Sequence, residues 1–198
     1  MLVVTDFEAT CWDKVQMDST EYAKRLSQQE IIEIGCIFLN PKNFNIVHKM
    51  SLMVKPVFYP VLSPFCTQLT GITQQMVDNG APFGDAFGSW CSLIYSSEIF
   101  CSWGKFDDTL LHKNCEMHET LYPFTIPHLN LKHLVADEMF DGAERGVKAQ
   151  CEKMGLDFVG SHHRGLDDVE NIVRILKAMC DGVDKNLDVI LNGLGYKV

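Results

Sequence analysis

In the segment VVTDFEATC, residues 3–11, an apolar run ends on two carboxylates, Asp6 and Glu8. Side chains alternate faces along a strand, so Val4, Asp6, Glu8 and Thr10 share one side. Two acids on one face repel, and burying either without a positive partner is costly. The pattern therefore requires a cation between them. Two further acid pairs stand far along the chain: Asp107 and Asp108 in SWGKFDD, and Asp167 and Asp168 in HHRGLDDVENIVRIL. In the last pair, helical spacing puts Asp168 on one apolar stripe with Ile172, Ile175, Leu176 and Met179. Asp167 falls on the polar face with Glu170, Asn171, Arg174 and Lys177. Asp168 thus points inward, as a ligand or as a first-turn acid favoured by the helix dipole. Spacing decides nothing for the other pair. Asp107 shares a stripe with Leu110 and Leu111, Asp108 one with Leu111 and Cys115.

Oxygen ligands without a cysteine or histidine cluster suit Mg²⁺ or Mn²⁺. Two such divalent cations carry four positive charges, matching Asp6, Glu8, one of the 107/108 pair and Asp168. Paired ions clamp the attacking and leaving oxygens in phosphodiester cleavage.

The elements that must position these acids read as α/β. A first strand spans 1–9, and a polar stretch from Trp12 to Gln29 follows as a loop. A second strand fits EIIEIGCIFLN and a third NIVHKMSLMVKP, with NPKN as the turn between them. Short helices follow, one with Ser63 as N-cap and one with Thr73. A longer helix fits 82–95, a fourth strand EIFCSWG, and helices 106–118, 129–140, 144–155 and 165–181. NLDVILNGLG is short and ambiguous. This order indicates a mixed sheet flanked by helices.

The 198 residues, 46% hydrophobic, suit one domain with a sizeable core. No apolar stretch approaches the roughly 20 residues that cross a bilayer, so no membrane partner is expected. MLVVTDFEA has neither a basic leader nor a cleavage-site pattern, so no secretion signal is expected. The eight cysteines form no C-x-x-C pair, which favours reduced thiols and a cytoplasmic location over a zinc site or disulfide framework. A net charge of −9 argues against a protein that coats nucleic acid through a broad basic surface. It leaves room for an enzyme that grips a few phosphates through metal ions.

At these residues the chain resembles the DEDDh exonucleases, the RNase T and polymerase-proofreading superfamily. DFEATC carries the D-x-E pair, SWGKFD the second acid, and HRGLDD the His-x4-Asp spacing of His163 and Asp168. EIIEIG, LTGIT at 69–73 and HLNLKHL at 128–134 fit as well. Within the superfamily the chain is most similar to the Eri-type and KapD-like exoribonucleases. The resemblance implies a ribonuclease H-like fold, a mixed sheet of about five strands with the first three antiparallel. It implies a single exonuclease domain over 1–198, with the motifs within about 1–180 and a C-terminal extension at 181–198. It selects Asp107 over Asp108 and His163 over His162.

The implied reaction is 3′→5′ hydrolysis of a single-stranded 3′ end, RNA rather than DNA, releasing a nucleoside 5′-monophosphate. Asp6, Glu8 and Asp168 would hold the ion that carries the attacking water, and Asp6 and Asp107 the second. His163 would take the proton, an imidazole being suited to that near neutral pH. It lies on a loop between Gly160 and Gly165 that is expected to move as substrate enters. The Phe7 and Glu8 backbone groups and the Thr10 hydroxyl are expected at the terminal sugar, Leu69 and Ile72 against the last base, and Phe65 and Trp103 as stacking platforms. Lys105, Lys132 and Arg164 flank the motifs as phosphate candidates. A DNA exonuclease, or a regulatory nucleic-acid-binding protein of the same fold, would share these features. A homodimer is compatible with the sequence, which does not decide it.

Overall fold

A computed structural model of the chain describes residues 1–95, 97, 99–122, 127–139 and 141–198. Its sheet has five strands in the order β3-β2-β1-β4-β5. Strand β1 (Leu2–Ala9) lies at the centre. It pairs antiparallel with β2 (Ile31–Leu39), which pairs antiparallel with the edge strand β3 (Ile46–Met53). On its other side β1 runs parallel to β4 (Ile99–Ser102), and β4 parallel to β5 (His128–Asn130). The expected mixed sheet with three leading antiparallel strands is what forms.

Alternation along β1 divides the core. Leu2 and Val4 join Ile37, Leu39 and the apolar stripe of a long helix, α8 (Gly165–Val183). Val3 and Phe7 join Ile34 and Cys36 under α4 (Phe83–Ile94) and α5 (Phe106–Met117). Asp6 and Glu8 continue the first of these faces beyond its apolar part, so they emerge under the start of α8.

Ser63 and Thr73 cap α2 (Pro64–Thr70) and α3 (Gln74–Asp78), accepting from the Cys66 and Met76 N–H groups. The 12–29 stretch departs from the expected loop. It forms a 3-10 turn at Lys14–Gln16 and a helix, α1 (Ser19–Ser27), capped by Asp18. No residue of α1 is buried, and Tyr22, Ala23 and Leu26 make only a short apolar face in a mostly polar segment. The helix is held by the Glu21–Arg25 pair, 2.7 Å apart, and by the Arg25 guanidinium 5.6 and 5.2 Å from the Trp12 and Tyr59 rings.

The helix expected from 129 to 140 also changes. Its first residues extend the sheet as β5, and α6 (Leu131–Glu138) starts from the Asn130 side chain as cap. Glu98 and Phe140, ends of two expected elements, lie outside the described residues. After α7 (Val147–Lys153), the ambiguous C-terminal segment forms α9 (Leu187–Gly193). Its Leu187, Ile190 and Leu191 bury into the same core as α8. Among the described residues no helix is long and apolar enough to cross a membrane. All eight cysteines are free thiols, and all but Cys11 are buried.

One backbone contact sets where α8 begins. A Cβ on Gly35 of β2 would stand 2.2 Å from the Gly165 carbonyl carbon, and one on Gly165 would stand 3.1 Å from the Asp6 carbonyl oxygen. Only glycine lets the helix start rest directly on the strands. Gly35→Ala is therefore expected to destabilise the protein by about 3 kcal/mol or more in urea denaturation, the upper range for overpacking. Gly84→Ala, where a Cβ meets nothing within 4 Å, is expected to be neutral or stabilising by up to ~1 kcal/mol.

Candidate active site

The three acidic segments meet at the carboxyl end of β1. Ligand oxygens of Asp6, Glu8 and Asp168 all lie within 4.8 Å of one another. Asp107, in the first turn of α5, is buried beside them, and its carboxylate accepts the Phe7 N–H at 3.0 Å. The four acids face one cavity of about 260 Å³ with His162 and His163. Trp103, Phe106 and Val147 supply its apolar wall. Asp108 turns away, toward His112 at 3.7 Å.

Among the described residues no lysine or arginine side chain enters this group, and the acids carry the consequence. Burial, then repulsion from Asp107, Glu8 and Asp168, drives Asp6 well above the usual carboxylate range. Burial, then Asp168 and Glu33, pushes Glu8 up to about 9. Burial raises Asp168 to about 7 and Asp107 to about 6, against the backbone N–H groups bonded to each. Such a set of hard oxygens is short of positive charge, and divalent cations fit it.

Asp168 does a second job. Its Oδ2 accepts the His163 N–H at 2.7 Å and the Arg164 N–H at 3.1 Å, while Oδ1 stands 3.7 Å from His162 Nε2. His163 has φ +66, in the left-handed region that side chains rarely occupy. The two imidazoles lie 3.9 Å apart between centroids. Burial lowers both pKa values, His162 further through its neighbours His163 and Lys148. The structure thus places both histidines at the cavity.

The turn that carries them is hydrogen-bonded back to α8. Asn171 bonds both the N–H and the carbonyl of Val159, and the Asp167 carboxylate accepts the Ser161 N–H at 2.7 Å. Asn171, assigned by spacing to the polar face, is fully buried for this reason.

The sequence reading also passed over Glu33. It sits opposite Glu8 in the β1–β2 register, buried, and accepts from Arg164, Gly165 N–H and Ser51. The available signal was an acid inside the unbroken apolar run IIEIGCIFL. Glu30, three residues earlier, is likewise buried. Against the pull of burial, His118 and the Val57, Tyr59 and Phe58 N–H groups hold its pKa below the usual range.

The expected substrate contacts divide. Phe7 lines the cavity, with its ring edge-on against Trp90, 5.7 Å between centroids, and its N–H donated to Asp107. Thr10 is buried, with its hydroxyl oxygen accepting the Glu30 N–H, and does not reach the cavity. Ile72 is fully buried with Ile32, Leu62, Cys66 and Val77, so it presents no surface to a base. Leu69 and Phe65, one turn apart on α2, are 39% and 37% exposed. Trp103 lines the cavity with its indole N–H fixed on the Arg145 carbonyl. Phe106, exposed at the same cavity, was not singled out by its sequence context. Lys132 reaches the Gly104 turn, while Arg164 is committed to Glu33.

The chain is similar to several known proteins. The RNase T exonuclease family model matches residues 3–176. ERI1 exoribonuclease 2 of Xenopus laevis is 28% identical, covering 98% of this chain and 31% of that protein. ERI1 exoribonuclease 3 of Homo sapiens is 31% identical, covering 89% of this chain and 52% of its own length. The chain therefore spans about a third to a half of these relatives. The solved nuclease domain of 3′hExo, a DEDDh family member bound to rAMP, superposes with a TM-score of 0.77 at 28% identity, covering 94% of each chain. The mixed sheet and its flanking helices are thus those of ribonuclease H-like exonucleases. The family match runs from the first residues of β1 into α8 and takes in every acid that faces the cavity: this chain belongs to the RNase T exonuclease family.

Proposed function

We propose that the protein is a metal-dependent 3′→5′ exonuclease that trims single-stranded ends, RNA in preference to DNA, and releases nucleoside 5′-monophosphates. The observation that carries this is the meeting of Asp6, Glu8, Asp107 and Asp168 around one small cavity with two histidines at its edge. Cleavage from a 3′ end rests on the family match and on the relatives, named as exonucleases. The preference for RNA rests on the relatives, named as exoribonucleases.

Asp6, Glu8 and Asp168 would hold one divalent ion, and Asp107 with Asp6 a second, Mg²⁺ or Mn²⁺. Bound there, such ions supply a water activated for attack and neutralise charge on the leaving oxygen. His163, neutral at working pH because burial lowers its pKa, accepts the proton of the attacking water. Trp103 and Val147 keep bulk water from one side, while Phe106 offers an aromatic face to the terminal base. Leu69 and Phe65 would contact the base or its neighbour from α2. The free thiols accord with a cytoplasmic location.

Single-stranded RNA and DNA oligomers labelled at the 5′ end, incubated with Mg²⁺ or Mn²⁺, test the reading. A descending ladder stronger on RNA is expected. A ladder on DNA alone would assign a DNA exonuclease, and none on either would leave a binding protein. Asp168→Asn is expected to abolish cleavage with the fold intact. His163→Ala is expected to slow turnover by about 10² or more, the range for a lost general base. His162→Ala is expected to stay within a few-fold of the parent.

The same carboxylates predict a pH signature. Folded Glu8 and Asp168 hold their protons to about 9 and about 7, well above unfolded carboxylates. The folded state therefore binds more protons between those limits, and stability falls as pH rises through that window. Without divalent ions the melting temperature should drop by roughly 5 °C or more between pH 5 and pH 9. Mn²⁺ should remove most of that slope, as thermal melting followed by circular dichroism would register.

A further inference from the structure

We propose that Glu33 and Arg164 act as one positioning unit, clamping the turn at 163–165 so that the His163 imidazole stays at the cavity. The inference rests on reading His163 as the proton acceptor. Neither residue is placed among the metal ligands or at the substrate.

The geometry is specific. The two Glu33 oxygens face the two guanidinium nitrogens, Oε2 to Nε at 3.0 Å and Oε1 to Nη2 at 3.3 Å. Oε2 also accepts the Gly165 N–H at 3.2 Å, and Oε1 the Ser51 hydroxyl at 2.7 Å. Glu33 is 1% exposed and the Arg164 side chain 29%, so this is a two-pronged pair with a buried acceptor and a partly exposed guanidinium. It joins β2, β3 and the first residues of α8 at one point.

That point is where the backbone needs it. His163 holds φ +66, a conformation that persists only where the surroundings impose it. Immediately before the clamp, Asp168 Oδ2 holds the His163 and Arg164 N–H groups. Immediately after it, Gly165 rests on Gly35 and the Asp6 carbonyl. Asn171 and Asp167 hold the turn upstream, at 159 and 161, but at 163 and 164 its backbone is held by Asp168, a carboxylate that would also serve a metal ion. The Glu33–Arg164 pair fixes the turn from the opposite side, on groups that serve no ion. It also explains why Arg164, beside a site for nucleic acid, is not offered to phosphate.

A double-substitution cycle tests the unit, with Arg164→Met, Glu33→Gln and both together. Arg164→Met is expected to lower kcat about tenfold or more, leaving KM and its salt dependence unchanged. Glu33→Gln, which keeps an acceptor for the Gly165 N–H, is expected to lower kcat less. The double variant is expected to be no worse than Arg164→Met, because two halves of one unit are not additive. A second readout needs no turnover: the amides of residues 163 and 165 should exchange at least tenfold faster in Arg164→Met, while the β1 and β2 amides stay protected.

A rise in KM with a shallower salt slope would overturn the proposal and give Arg164 to a phosphate. Additive losses in the double variant, or unchanged amide exchange at 163 and 165, would overturn it too. So would a lowered melting temperature with kcat per folded molecule intact. If the unsubstituted protein cleaves neither RNA nor DNA, the functional reading fails, and amide exchange still decides the clamp. Should Arg164→Met not fold, Glu33→Gln carries both readouts.

Discussion

Four carboxylates crowded into one desolvated space repel each other, and the rest of the molecule is arranged to hold them there. β1 contributes Asp6 and Glu8 because alternation puts both on the face under α8. The Gly35–Gly165 contact brings the start of that helix onto the strands, which lets Asp168 reach the pair. Asp107 arrives from α5 and is fixed by the Phe7 N–H. Each acid is thus held by backbone geometry rather than by a charge partner, and repulsion stays available to draw in cations.

Glu30 and Glu33 show the contrast. They are as buried as the four acids at the cavity, yet both are satisfied within the chain. Glu30 takes three consecutive backbone N–H groups and faces His118, and Glu33 takes a guanidinium, a hydroxyl and a backbone N–H. One end of the sheet therefore holds two kinds of buried acid. Those completed by the protein brace segments of chain, and those left incomplete mark the place for a ligand.

Much of this could be read in the sequence because it was written as periodicity. Asp168 was separable from Asp167 by helical face, and the Ser63 and Thr73 caps by residue type before an apolar run. What escaped lacked a local pattern. Helix α1 buries nothing, and its apolar face is only Tyr22, Ala23 and Leu26. Three residues are too few for β5 to show alternation. Thr10 and Ile72 stand in motif segments but turn into hydrogen bonds and core that only the folded chain defines. Glu33 looked like one acid in an apolar strand, and its partner is 131 positions away.

The bond from the Phe7 N–H to Asp107 spans 100 positions of sequence. Closing so long a loop is entropically late work in folding, and Asp168 lies further along still. Synthesis runs from the N-terminus, so the first two acids leave the ribosome long before the others exist. A nascent chain, held beside the messenger that encodes it, therefore carries an unassembled site until α8 has been made and has docked. Contact order itself delays the gathering of the four acids until the last of these segments is in place.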